Sequence, residues 1–134
     1  DDKSDAFAAA DAALAASGTV ALELAMAGTP TVVTYKVNPL SAWIARRIIR
    51  TPFVNLTNIV LNREAVPELL QEDCRPDKLA DAVERLLDDE HARRAQQEAS
   101  KEALALLAGN DQETPSHRAA QVIFDLIANR PETA

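Results

Sequence analysis

Hydrophobic and polar positions change their period along this chain, from short unbroken apolar runs near the amino terminus to helical stripes in the second half. Residues 12–16 form one apolar run, which breaks at Ser17-Gly18-Thr19 and resumes over residues 20–27. Alanine-rich runs favour helix, but this break divides the segment into a buried strand, a tight turn and a helix, with Ser17 as N-cap and Gly28 as terminator. Thr31-Val32-Val33-Thr34-Tyr35, β-branched and aromatic after Pro30, predicts a second buried strand. Strand, helix and strand in that order make a βαβ unit, which requires a parallel sheet.

Asn38-Pro39 opens the next helix by a cap and a first-turn proline; it runs to about Arg50, and Pro52 stops it. Residues 53–56 predict a short third strand, and residues 57–63, polar with two Asn, predict a loop. Pro76 opens a helix with Leu79, Val83, Leu86 and Leu87 on one face, and residues 90–108 form another, closed by Gly109. After a short linker at residues 110–113, Thr114-Pro115 opens a last helix whose Ala119, Val122, Ile123, Leu126 and Ile127 form an apolar stripe that must dock on something. The expected fold is therefore α/β: a partial Rossmann-like parallel βαβ region over residues 1–73, then carboxy-terminal helices over residues 74–134 that pack on it or on a neighbouring domain or subunit.

Composition agrees with an ordered, helix-rich chain: 47% of the 134 residues are hydrophobic, 26% are charged and 4% are aromatic. A single Cys leaves no internal disulfide, and no apolar stretch approaches the ~20 residues that span a bilayer. The opening Asp1-Asp2-Lys3-Ser4-Asp5 lacks the pattern of a secretory signal and is expected to be a mid-protein segment. The net charge of −7 disfavours nucleic acid as a partner, but it is unevenly spread. Between Glu23 and Glu64 there is no acid, while Lys36, Arg46, Arg47, Arg50 and Arg63 all fall there; from Glu64 onward 16 acids face 8 bases. A basic window on an acidic chain points to an anionic ligand or surface.

Within that frame the Ser17-Gly18-Thr19 turn offers backbone N–H groups, small hydroxyls and a positive helix end, which suit a phosphate or diphosphate. Glu23, the only charged residue between Asp11 and Lys36, stands just over a turn deeper. A carboxylate buried there needs partners, and two ribose hydroxyls would serve; the alternative is a helix residue that faces water. Trp43, Arg46, Arg47 and Arg50 share a sector of roughly 100° on their helix, as suits an anionic lipid surface or sugar phosphate, or else a solvated face with Arg stems laid along it. His91, His117 and Cys74 have no metal-ligand spacing and are expected to be structural. The acids Asp88, Asp89 and Glu90 favour the start of the helix that follows them.

Ser17-Gly18-Thr19-Val20-Ala21-Leu22-Glu23, followed by Ala27-Gly28-Thr29-Pro30, resembles the donor-nucleotide motif of GT-B glycosyltransferases and UDP-N-acetylglucosamine epimerases. Tyr35-Lys36-Val37-Asn38-Pro39, Trp43-Ile44-Ala45-Arg46-Arg47, Asn58 with Arg63-Glu64, and the run from Pro67 to Cys74 narrow the resemblance to the lipid-A-disaccharide synthase family, from about Ser4 to the last helix. The resemblance implies that Ser17, Gly18 and Thr19 meet the donor diphosphate and Glu23 the ribose, with Asn58, Arg63 and Glu64 as further nucleotide-site residues. It implies a UDP-diacylglucosamine donor, a diacylglucosamine phosphate acceptor, no cofactor and no metal. It also implies a peripheral position on the cytoplasmic side of the bacterial inner membrane and last helices able to exchange in a homodimer. The catalytic base is expected in an amino-terminal domain outside this sequence, so the chain alone is expected to be inactive. Residues 57–64 keep the family's Asn, Arg and Glu but lack a Pro and a Gly usual there. The alternatives are another UDP-sugar GT-B transferase or epimerase and, in a different class, a non-catalytic helical docking module.

Overall fold

A computed structural model of the chain describes residues 2–48, 51–109 and 115–128, with the backbone alone at residues 44–46, 115 and 128. In chain order the elements are α1 (Asp2–Ala9), β1 (Ala13–Ala16), α2 (Thr19–Ala27), β2 (Thr31–Tyr35), α3 (Pro39–Ile48), α4 (Leu56–Leu61), β3 (Glu68–Leu70), a 3-10 turn (Gln71–Asp73), α5 (Pro76–Asp88), α6 (Glu90–Ala108) and α7 (Pro115–Ala128). The three strands form one parallel sheet in the order β1-β2-β3, with Ala15 beside Val33 and Val33 beside Glu68. The α/β class and the βαβ unit are as the sequence predicts. Arg50, Thr114 and the linker at residues 110–113 lie outside the described residues.

β2 is the central strand, and its Thr31, Val32 and Val33 are all buried, as a parallel strand covered on both faces requires. Both α2 and α5 pack against it. Ala21, Val33 and Val66 form a core cluster, against which Val54 packs. Between α2 and α6 the buried residues are small, Ala21 and Ala25 on one side and Ala99, Ser100 and Ala103 on the other, so the two helices approach closely. The Gln96 side chain of α6 accepts from Thr31 N at 2.7 Å and donates to Thr31 O at 2.8 Å, giving the start of β2 the pairing of a strand neighbour. Gln97 adds a bond from Nε2 to Gly28 O at 2.8 Å, so α6 clasps the turn between α2 and β2.

Three local expectations need correction. The third strand is Glu68–Leu70, not residues 53–56, and residues 57–61 of the expected loop belong to helix α4, which starts at Leu56. Of the two Asn that signalled a loop, Asn62 is the closing cap of this helix and Asn58 lies inside it, while Asn55, from the expected strand, is the opening cap. Asn55 Oδ1 accepts from Thr57 N at 2.8 Å, and Asn62 closes the helix in the left-handed region at φ 50°. α1 was not predicted; it has no buried residue, and Thr29 Oγ1 holds its end by donating to Phe7 O at 2.6 Å. Gly28 ends α2 at φ 76°, as expected.

Candidate functional site

β1 ends at Ala16 and α2 begins at Thr19, so the turn between them lies at the carboxyl end of a parallel strand, where open α/β sheets bind ligands. Gly18 has φ 135° and ψ −156°, a region closed to side-chain-bearing residues, and an added Cβ there would find open space within 4 Å. No side chain caps α2. Ser17 is not the N-cap expected of it: its hydroxyl donates to Val54 O at 3.2 Å, tying the turn to the loop before α4. With its proton engaged there, the Ser17 hydroxyl is not free as a donor, and the donors the turn can offer are backbone N–H groups. Ser17, Gly18 and Thr19 line a cavity of about 420 Å³ with Phe7, Leu14 and Leu24.

Glu23 lies next door rather than inside. Its side chain is 45% exposed and ion-paired with Lys3 of α1 at 2.6 Å, so the expectation of a buried carboxylate is corrected. It lines a groove of about 490 Å³ between α1 and α2 that includes Lys3, Phe7 and Met26, and Phe7 is common to both cavities. The helical spacing that turned Leu24 inward turned Glu23 toward α1.

Asn58, Arg63 and Glu64 separate from the turn. Asn58 is fully buried (0% exposed) and its amide is fully used: Nδ2 donates to Val66 O and to Glu68 Oε1, each at 2.7 Å, while Oδ1 accepts from Ala65 N and Val66 N, each at 2.8 Å. A side chain so engaged shapes the loop around it and has no group left for a nucleotide, which corrects its expected ligand contact. Arg63 is exposed and paired with Glu102 at 2.7 Å. Arg63 and Glu64 line a different cavity, of about 510 Å³, with Arg85, His91 and Gln96.

Glu68 was missed from sequence. Its Oε2 accepts from Val54 N at 2.9 Å, and its Oε1 accepts from Asn55 N at 2.9 Å in addition to Asn58. The only signal available was an acid inside an otherwise apolar Val-Pro-Glu-Leu-Leu run.

On α3 the Trp43 ring is 55% exposed and the Arg47 guanidinium stacks 4.4 Å from its centroid, a cation–π pair on a surface-facing strip. The Arg46 side chain and Arg50 lie outside the described residues. Cys74 Sγ accepts from Thr34 Oγ1 at 3.0 Å, a structural contact. Among the described residues no group of three or more His, Cys, Asp or Glu could hold a metal ion, and no helix is long and apolar enough to cross a membrane.

Comparison with known proteins identifies the family. The family model described as lipid-A-disaccharide synthetase matches residues 1–123. Lipid-A-disaccharide synthase of Paramagnetospirillum magneticum is 56% identical over 133 residues, covering 98% of this chain and 34% of the relative. The synthases of Rhodospirillum centenum and Gluconobacter oxydans are 53% and 50% identical, covering 96% and 97% of this chain and 32% and 31% of those proteins. The chain thus spans about a third of the length of these curated relatives. A glycine turn at the end of a parallel strand, followed by the residues matched over nearly the whole chain, places it in one family: the chain belongs to the lipid-A-disaccharide synthases.

Proposed function

We propose that the full-length protein transfers a diacylglucosamine unit from its UDP conjugate to a diacylglucosamine phosphate acceptor, and that this chain is the part that holds the donor nucleotide. An acceptor hydroxyl oxygen attacks the anomeric carbon, the bond to the diphosphate breaks, and the proton passes to a base outside this chain. The observation that carries the reading is the Gly18 turn: an uncapped helix start with open space above it, in a chain matched to the family over residues 1–123. As the leaving diphosphate gains charge, fixed N–H dipoles at residues 17–19 stabilise it without reorganising.

Glu23 takes the ribose by exchanging partners. Its present partner, Lys3, is half-exposed, and such ion pairs are weak enough for two sugar hydroxyls to replace the ammonium. Replacing Glu23 by Ala in the full-length protein then removes two charge-assisted hydrogen bonds and weakens UDP binding about tenfold to a hundredfold by calorimetry. Unchanged affinity would refute the ribose assignment. Arg63 and Glu64 belong to the donor side more remotely, at the end of α4.

The Trp43–Arg47 pair faces the acyl-chain-bearing substrates and the anionic inner surface of the bacterial inner membrane, where the protein sits peripherally. The apolar stripe of α7, with Val122, Ile123, Leu126 and Ile127 all exposed, seats on a second copy in a homodimer. A donor screen with full-length protein tests the activity. Disaccharide and UDP should appear only when donor and acceptor both carry acyl chains, whereas turnover of a non-acylated UDP-sugar would favour a different GT-B transferase or epimerase.

A further inference from the structure

We propose that Glu68 is a positioning residue for the donor turn, acting on Gly18 through the loop at residues 53–55 and the Ser17 hydroxyl. The inference rests on the reading of that turn as the nucleotide cradle. A carboxylate is acceptor-only, with about four lone-pair sites. Glu68 fills three of them with N–H donors, two from the successive backbone groups of Val54 and Asn55 and one from Asn58. Successive amides bound to the two oxygens of one side chain hold the loop in a single orientation, and Val54 is further held by packing on the Ala21, Val33 and Val66 cluster.

The Val54 carbonyl, fixed in this way, receives the Ser17 hydroxyl at 3.2 Å. That bond is a side-chain restraint on the turn, since among the described residues no side chain caps α2 and Gly18 itself brings none. Asn58 closes the far side by gripping Ala65 and Val66, so the start of β3 and the start of α4 move as one body. Glu68 itself sits in register with Val33 of the central strand, which anchors the assembly in the sheet. The carboxylate touches no substrate; it decides where the Ser17 and Gly18 backbone stands when the diphosphate arrives.

The test uses full-length protein carrying Glu68→Gln, whose amide nitrogen must confront one of the three donors, and Glu68→Asp, which keeps an acceptor-only head. UDP affinity is measured by calorimetry, with KM for donor and acceptor measured separately. The expected result for Glu68→Gln is a rise of about tenfold in UDP Kd and donor KM, with acceptor KM held within about twofold, and partial recovery in Glu68→Asp. In a Ser17→Ala background the same Glu68→Gln change should add less than about twofold, since its route to the turn is already cut. Unchanged UDP affinity in folded Glu68→Gln, or equal rises in both KM values, overturns the assignment. If Glu68→Gln does not fold, Ser17→Ala alone decides: faster amide exchange at residues 17–20 with an unmoved thermal midpoint upholds the restraint, and unchanged exchange overturns it. A wild-type protein that fails to bind UDP overturns the cradle reading itself, whereas UDP binding that Glu68→Gln leaves untouched overturns the positioning role alone.

Discussion

Gly18 carries the most specific demand in the chain, because its φ of 135° with ψ −156° is open to glycine and strained for anything else. Gly18→Ala meets no steric clash, so its effect isolates backbone strain: a loss of about 1–3 kcal/mol in unfolding free energy of the full-length protein, read by denaturant titration. Asn58→Ala should be worse, roughly 2–4 kcal/mol, because it strands the buried Val66 amide and carbonyl and the part-buried Ala65 amide. The turn motif was legible in the sequence as a string of neighbours, and its glycine behaves as the string implies. Ser17 and Glu23 were only half legible, since their partners stand far away in sequence, at Val54 and Lys3, and no local pattern reports such pairings. Asn58 illustrates the same limit: as a polar letter in a polar stretch it resembled a ligand contact, and only tertiary packing shows that all its hydrogen bonds turn inward.

Elements with strong end signals were read correctly, and those whose signals had two meanings were not. α6 ran between Glu90 and Ala108 as its acidic start and closing Gly109 required. α4 was hidden because Asn marks loops and caps alike, and β3 because three residues without a β-branched side chain leave no period to detect. Asp89 shows how a cap is tested. Its side chain accepts from Ala92 N at 3.0 Å, and that bond is the leading reason its carboxyl is held below the ordinary value of 3.8. A carboxyl depressed in the folded state contributes stability that is complete above 3.8 and is lost as pH falls through its lower folded value. Asp89→Ala should therefore lower the thermal midpoint at neutral pH, and the gap from wild type should close in strong acid, whereas Asp89→Asn, an equally good neutral cap, should keep most of the midpoint throughout. A gap that persists unchanged at the acid end would contradict this cap chemistry.

At the scale of the whole molecule, a three-stranded parallel sheet presents a glycine turn at its carboxyl edge, while α5 packs on β2 and α6 packs on α2, α4 and α5. The charge pattern matches that division: the acid-free window covers β2, α3 and α4, and the acids crowd into the helices beyond. Sequence reasoning separated these halves by period and charge but could not see α6 reaching back through Gln96 and Gln97 to clasp the turn before β2, a contact between residues more than 60 positions apart. The proposed function requires the nucleotide diphosphate to sit on residues 17–19. Hydrogen–deuterium exchange of the full-length protein, with and without saturating UDP, tests it most directly. A diphosphate seated there slows exchange centred on residues 17–20 and leaves α5 and α6 unaffected; UDP that binds yet leaves that turn exchanging at its free rate would contradict this placement.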